Sequence, residues 1–308
     1  MPLQKCKYHL YLVAFVSPKE FEYHAPAELQ EAFSLLKEHG DNAKILAGGQ
    51  SLIPLLKSRI FSVPHLVDIG RIRGLKNVVE NGSEIRIGAL VTISDLEANN
   101  EIRTRFQAIS DAAGLIGDPL VRNRGTIGGN ISHGDPSNDM PAAMVALKAR
   151  FKLSSQQGER IVDAGEFFID TLQTDVREGE ILTEIIVPEP RNRSGSAYMK
   201  LKKTAGDFCV AGVAVSVSLD QHGGLSGLNV AITAAGPRVI EVKGLEEKVT
   251  GKKLNEELSA IISTEAVNAS EPAEDFYGTV EYKRKVIGLL TGDCLELAVE
   301  RAKEGAKR

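Results

Sequence analysis

The stretch Lys44-Ile45-Leu46-Ala47-Gly48-Gly49-Gln50-Ser51-Leu52 decides how this chain is read. Residues 44–47 suit a short strand, and two glycines and a serine follow at once. Paired glycines let successive backbone N–H groups converge, and with no Cβ in the way an anion can come close. Ser51 adds a hydroxyl donor. Such a loop fits a diphosphate, although a Gly-Gly turn taken alone is more often structural than ligand-binding. Further along, Arg124-Gly125-Thr126-Ile127-Gly128-Gly129-Asn130 repeats the device, with Thr126 and Asn130 as polar partners. Two polar glycine loops suit a ligand with a diphosphate in its middle and polar ends. Hydrogen bonds to a charged phosphate contribute about 1.5–3 kcal/mol each, so about four or five would hold a dinucleotide.

Working outward, residues 25–40 predict a helix, with Pro26 in the first turn, Leu29, Phe33 and Leu36 at helical spacing, and Gly40 as a left-handed stop. Strands are expected around 66–69, 85–87, 151–153 and 181–187, and helices over 101–113 and 141–148. Pro188-Glu189-Pro190 followed by 191–195 reads as a linker. Beyond it, strands over 210–219 and 228–234 flank a hairpin turn at 221–224, and two helices fill the chain from 254 onward. The expected organisation is an extension over 1–17, one α+β domain over 18–190 and a second over 191–308. The extension carries Lys5, Lys7 and an apolar run from Tyr8 to Val16, but no small-x-small cleavage pattern.

Composition narrows the function. The 308 residues are 43% hydrophobic and 25% charged with a net charge of −4, ordinary for a soluble globular protein and unsuited to attracting nucleic acid. No stretch is apolar enough for long enough to cross a bilayer. The three cysteines are far apart and form no CxxC pair, so an iron–sulfur cluster has no ligand set here and a reducing cytoplasm is expected. No GxGxxG, HExxH or Gly-x-Ser-x-Gly occurs. His133, Asp135 and Asp139 share a glycine-proline loop, a weak case for a metal beside the reading as a solvated or cofactor-facing loop. The other histidines are dispersed and read as structural. No metal ligand and no catalytic acid–base pair is expected.

The segments 47–57 (AGGQSLIPLLK), 116–142 (IGDPLVRNRGTIGGNISHGDPSNDMPA), 179–188 (GEILTEIIVP) and 198–208 (YMKLKKTAGDF) resemble the FAD-binding medium subunit of the molybdenum hydroxylases. This is the xanthine dehydrogenase family, and the resemblance is nearest to the medium chains of aerobic carbon monoxide dehydrogenases and aldehyde oxidoreductases. It implies a vanillyl-alcohol-oxidase-type (PCMH-like) FAD-binding domain of two subdomains, followed by a smaller α+β C-terminal domain. It implies that Ala47, Gly48, Gly49, Gln50 and Ser51, with Thr126, Ile127, Gly128, Gly129 and Asn130, wrap the diphosphate and sugars of a non-covalent FAD. Asp139 matches an acid that hydrogen-bonds the cofactor, and Leu182 and Lys200 match positions near the flavin ring. Molybdopterin and iron–sulfur clusters are implied only on partners, a large and a small subunit in a dimer of heterotrimers, with FAD passing electrons from the clusters to an external acceptor. Gln50 stands where carbon monoxide dehydrogenases usually carry histidine, and Phe208 where many carry tyrosine, so carbon monoxide and aldehydes both remain as substrates. The rivals are a stand-alone flavin oxidoreductase of the same fold and an FAD-free assembly scaffold.

Overall fold

The structure, a computed structural model, describes residues 17–305. The extension expected over 1–17 lies outside those residues except for Ser17, as does Cys6. Three strands, β1 (Glu22–His24), β2 (Ala43–Leu46) and β3 (His65–Asp68), form a parallel sheet in the order β1-β3-β2. Parallel strands need crossovers. The first contains helix α1 (Leu29–His39), which buries Ala32, Phe33 and Leu36 against the sheet, and the second contains the 47–51 loop and α2 (Leu52–Lys57). Helix α1 starts after Pro26, with Glu28 as its N-cap residue. Gly40 has φ +48° but ψ −130°, so it opens a tight 3-10 turn instead of a left-handed cap. The histidines read as dispersed are not all so: His24, His39 and His65 meet beside this sheet.

A five-stranded antiparallel sheet follows, built from β4 (Val78–Glu80), β5 (Glu84–Gly88), β6 (Arg150–Ser155), β7 (Gly158–Asp163) and, after the ribbon of β8 (Phe168–Asp170) and β9 (Gln173–Thr174), β10 (Ile181–Pro188). Its order is β4-β5-β10-β6-β7. Its helices are α3 (Ile93–Ala98), α4 (Asn100–Arg105), α5 (Gln107–Leu115), α6 (Pro119–Arg122), α7 (Ile127–His133), α8 (Asp139–Ala146) and α9 (Ala164–Phe167). The helix expected over 101–113 is two, broken at the fully buried Phe106, whose φ −122° and ψ 51° end one helix and start the next. Every residue of α8 is buried, as its nearly all-apolar sequence requires.

The last sheet is an antiparallel run of β11 (Ser194–Lys202), β12 (Cys209–Leu219), β13 (Leu225–Thr233) and β14 (Ile240–Glu241). Helices α10 (Glu246–Val249), α11 (Glu256–Ala269) and α12 (Val280–Gly305) complete it. Helix α12 lies directly on β11: a Cβ on Gly195 would stand 2.2 Å from the Ala298 carbonyl oxygen. The turn between β12 and β13 is held by Asp220, whose carboxylate accepts from the N–H groups of His222 and Gly224 at 2.7 and 2.9 Å.

The expected linker is not loose. Strand β10 runs to Pro188 and β11 starts at Ser194. Between them Glu189 donates its N–H to the Ser83 carbonyl at 2.9 Å and its carboxylate pairs with Arg105. Tyr198, Ala214 and Ala231 belong to the same apolar core as Ile85, Phe106 and Ile127, and Arg301 pairs with Asp111 at 2.6 Å. Two α+β halves therefore pack as one body through a shared core. Among the described residues no helix is long and apolar enough to cross a membrane.

Candidate cofactor cleft

The two glycine loops, far apart in sequence, are in contact. A Cβ on Gly48 would lie 2.2 Å from the Arg124 carbonyl oxygen and 2.8 Å from the Gly125 Cα, so only glycine permits this approach. Positions on the other strand of the loop meet as well: the Cβ position of Gly129 is 3.8 Å from the Ala47 Cβ, and that of Gly125 is 3.7 Å from the Gln50 Cγ. Gly49 has φ +73° and Ile53 and Leu46 pressed beside its Cβ position, which makes glycine the fitting residue whatever is bound.

The loops differ in what they offer. The N–H groups of Gly48, Gly49, Gln50 and Ser51 donate to nothing among the described residues. The Gln50 side chain is exposed and donates back to the Gly48 carbonyl at 3.2 Å. In the second loop the expectation of another free N–H nest fails. Ile127 donates to the Val91 carbonyl at 3.0 Å, Gly128 to that of Ala89 at 2.9 Å, Gly129 to the Thr126 hydroxyl at 3.1 Å and Asn130 to the Thr126 carbonyl at 2.9 Å. Thr126 is the N-cap of α7, its hydroxyl turned inward to Gly129. Gly128 is glycine because Ala89 sits against it, 2.5 Å from where its Cβ would be. What this loop can still offer a ligand is its smooth glycine surface and one side chain. The Oδ1 of Asn130 is buried and has no hydrogen-bond partner, and such an atom costs free energy unless something donates to it.

Behind the second loop lies a charged network. The Asn138 amide donates to the Asn130 carbonyl at 2.9 Å, and the next residue, Asp139, is 5% exposed. Asp139 is the first residue of α8, not its cap; the cap position is Asn138, so the carboxylate is free for side chains. It accepts from the Tyr198 hydroxyl at 2.5 Å and from the Lys200 ammonium at 2.8 Å. Burial pushes the Asp139 carboxyl above its ordinary range, against the pull of Lys200 and Tyr198 toward the charged form. Burial, and then the Asp139 charge, push the Tyr198 hydroxyl well above its own. Gly212 makes room for this contact: a Cβ there would meet the Tyr198 hydroxyl at 2.4 Å. Leu182, 4% exposed, lies in the core at an irregularity of β10, and the adjacent Thr183 carbonyl accepts from Ala89, the residue under Gly128. Leu182 and Lys200 thus back the second loop through intermediaries.

Tyr198 is the residue the sequence reading passed over. The signal was there: Tyr198 and Lys200 stand two apart on one strand, hence on one face. His133, Asp135 and Asp139 do not gather as a metal-ligand group, since the Asp139 carboxylate is held by Tyr198 and Lys200. A cavity of about 1030 Å³ lies elsewhere, lined by residues that include Arg71, Arg73, Lys76, Arg86 and Lys152, without any glycine-loop residue. What marks the glycine loops is their chemistry: the unpartnered N–H groups of 48–51 and the orphaned Asn130 Oδ1.

Known proteins resemble the chain over most of its length. Residues 19–190 match the family model for the FAD binding domain in molybdopterin dehydrogenase, and residues 196–298 match that for the CO dehydrogenase flavoprotein C-terminal domain. The chain is 40% identical to the carbon monoxide dehydrogenase medium chain of Hydrogenophaga pseudoflava, covering 92% of this chain and 99% of that one. It is 37% identical to the glyceraldehyde dehydrogenase medium chain of Sulfolobus acidocaldarius, covering 89% and 96%. It superposes on a chain of the reconstituted CO dehydrogenase from Oligotropha carboxidovorans with a TM-score of 0.90 at 34% identity, covering 92% and 99%. With both domains matched in order and relatives covered over nearly their whole length, the chain belongs to the FAD-binding medium subunits of the molybdenum hydroxylases, the flavoprotein subunits of multi-subunit oxidoreductases.

Proposed function

We propose that the chain is the electron-transfer subunit of a molybdenum-containing hydroxylase, with residues 18–190 as a two-subdomain FAD-binding domain and 191–308 as the C-terminal domain that braces it. The observation that carries this reading is the pairing of four unpartnered N–H groups at 48–51 with the orphaned Asn130 Oδ1 across a glycine contact. The N–H run fits the negative oxygens of a diphosphate, and an amide oxygen fits a sugar or ribityl hydroxyl. Thr126, Ile127, Gly128 and Gly129 hold the opposite wall in place, and Asp139, Lys200 and Leu182 support that wall from behind. When bound, FAD supplies the capacity to take up electrons singly or in pairs and release them to an acceptor. This chain's residues would hold it and keep its phosphates in register.

Iron–sulfur clusters and molybdopterin belong, in this reading, to a small and a large partner subunit, the assembly being a dimer of such heterotrimers in the cytoplasm. A substrate of the carbon monoxide or aldehyde type would react on the large subunit, and relatives of both kinds resemble the chain. Purified full-length chain should be yellow, be reduced chemically and pass electrons to an artificial acceptor. It should not oxidise carbon monoxide or aldehydes until partner subunits are added. Substrate turnover by the chain alone would favour a stand-alone oxidoreductase, and a colourless chain that still assembles would favour a scaffold.

A further inference from the structure

Outside the cofactor cleft, one cluster of side chains has the makings of a site. His24 ends β1, His39 ends α1 and His65 begins β3, and one ring nitrogen of each lies within 4.8 Å of the others. The His24 Nε2 and His65 Nδ1 are 3.2 Å apart, and the Glu22 carboxylate lies 3.4 Å from that His65 nitrogen and 3.9 Å from that of His24. His39 stacks on His65 with centroids 3.7 Å apart and planes within 10°. All three imidazoles are partly exposed, so a cation can enter from solvent. Two nitrogens at about 2.0–2.1 Å from a tetrahedral Zn2+ are roughly 3.3 Å apart, which is the separation these rings already have.

We propose that His24, His39 and His65, with Glu22, bind one divalent cation of the Zn2+ class. Three neutral imidazoles and a carboxylate are borderline donors that favour late first-row divalent ions over Mg2+ or Ca2+. The cation takes the place of the hydrogen bond between His24 and His65, and His39, whose ring now lies parallel to that of His65, turns out of the stack to direct its nitrogen at the ion. It thereby ties three separate elements, β1, α1 and β3, at one point. The register places it apart from the cofactor. His65 pairs with Ala43 at the N-terminal end of the sheet, while the glycine loop leaves the C-terminal end after Leu46, paired with Asp68. At about 3.3 Å per residue the two are roughly 10 Å apart along the strands. The cation is therefore a staple for the sheet that carries the glycine loop, not a redox centre.

The test uses full-length, FAD-loaded chain without a histidine tag, stripped with a chelator and titrated with Zn2+ by calorimetry and with Co2+ by visible absorption. One ion per chain should bind and raise the melting temperature, as any ligand selective for the folded state does. His24→Gln and His65→Gln should each weaken binding about tenfold or more. His39→Phe keeps the ring stack and removes the ligand; it should weaken binding comparably while leaving the metal-free melting temperature in place. The flavin spectrum should not change in any of these. Absence of a saturable site in the wild-type chain, or stoichiometric binding that survives in the His24→Gln/His65→Gln double variant, overturns the proposal.

Discussion

In the first glycine loop the N–H groups from Gly48 to Ser51 have no partner among the described residues, whereas in the second those from Ile127 to Asn130 all donate within the chain. The same Gly-Gly device does two jobs. At 48–49 it leaves donors without partners among the described residues and allows a backbone to press against Arg124; at 128–129 it allows a helix start to settle on Ala89. A glycine pair is therefore evidence of close approach, and only the surroundings say whether a ligand or the protein itself is approached. In the proposed reading, the first wall would recognise the cofactor and the second would position it.

The largest effect should come from the support behind the second wall. Lys200→Met leaves the Asp139 carboxylate buried with its charge uncompensated, at a cost of about 3–5 kcal/mol. The sign with pH follows from the cause. Burial already pushes this carboxyl upward, and losing Lys200 removes the opposing pull, so the folded variant favours the protonated acid. Its stability should be greatest at low pH and fall as pH rises through the raised value, which melting curves at several pH values will read. A variant with unchanged melting at neutral pH would show that the ion pair does not brace the wall.

Next come paired glycine substitutions, which test the division of labour directly. Gly128→Ala forces a methyl into Ala89, and overpacking of this kind costs about 1–3 kcal/mol. The loss should appear equally in chain with and without FAD. Gly48→Ala should instead part the two loops and lower FAD affinity by more than it lowers the melting temperature of FAD-free chain. Flavin titrations beside thermal melts compare the two, and an identical pattern in both variants would break the distinction.

A smaller effect is expected at Asn130. Replacing it with alanine removes the orphaned oxygen, so FAD-free stability should hold or rise slightly. FAD affinity should fall by about 0.5–1.5 kcal/mol, the contribution of one ordinary hydrogen bond. Unchanged affinity would remove the side chain from the cleft's donor set.

The smallest effect is a gentle acid dependence of the sheet that carries the second wall. Burial pushes the Glu84 carboxyl up, but hydrogen bonds and charge from Arg86, with help from Asn81 and Arg150, hold it below the usual range. Glu180 behaves alike under Arg160. Both contribute stability that is present above about pH 4.5 and is lost as pH falls through their lowered values. Glu84→Gln should flatten that acid limb in a melting series without touching FAD affinity at neutral pH.

Much of this was legible from residues alone. The strand before Gly48, the hairpin around Asp220 and the long final helix follow from local pattern, because apolar periodicity and turn residues act over a few neighbours. Resemblance of four segments named the family, and it placed Asp139, Leu182 and Lys200 near the site. The helix over 101–113 was misread because Phe106, apolar and in phase, looks like one more core position; only its non-helical backbone in the folded chain shows the break. The boundary at 188–195 was legible from its Pro, Gly and polar residues and falls between the two matched domains, but that Arg105 and Ser83 hold Glu189 there is decided from elsewhere in the chain.

What the sequence by itself determined is many of the longer elements, the two glycine loops and the identity of the family. Each depends on interactions between near neighbours or on motifs long enough to be distinctive. What only the tertiary structure decided is which backbone N–H groups are left over, that Tyr198 completes the Asp139–Lys200 network, and that three scattered histidines share one point. Those facts depend on contacts between residues remote along the chain. Hydrogen bonding is a matter of a few tenths of an ångström, and no spacing along a sequence records where the partner ends up.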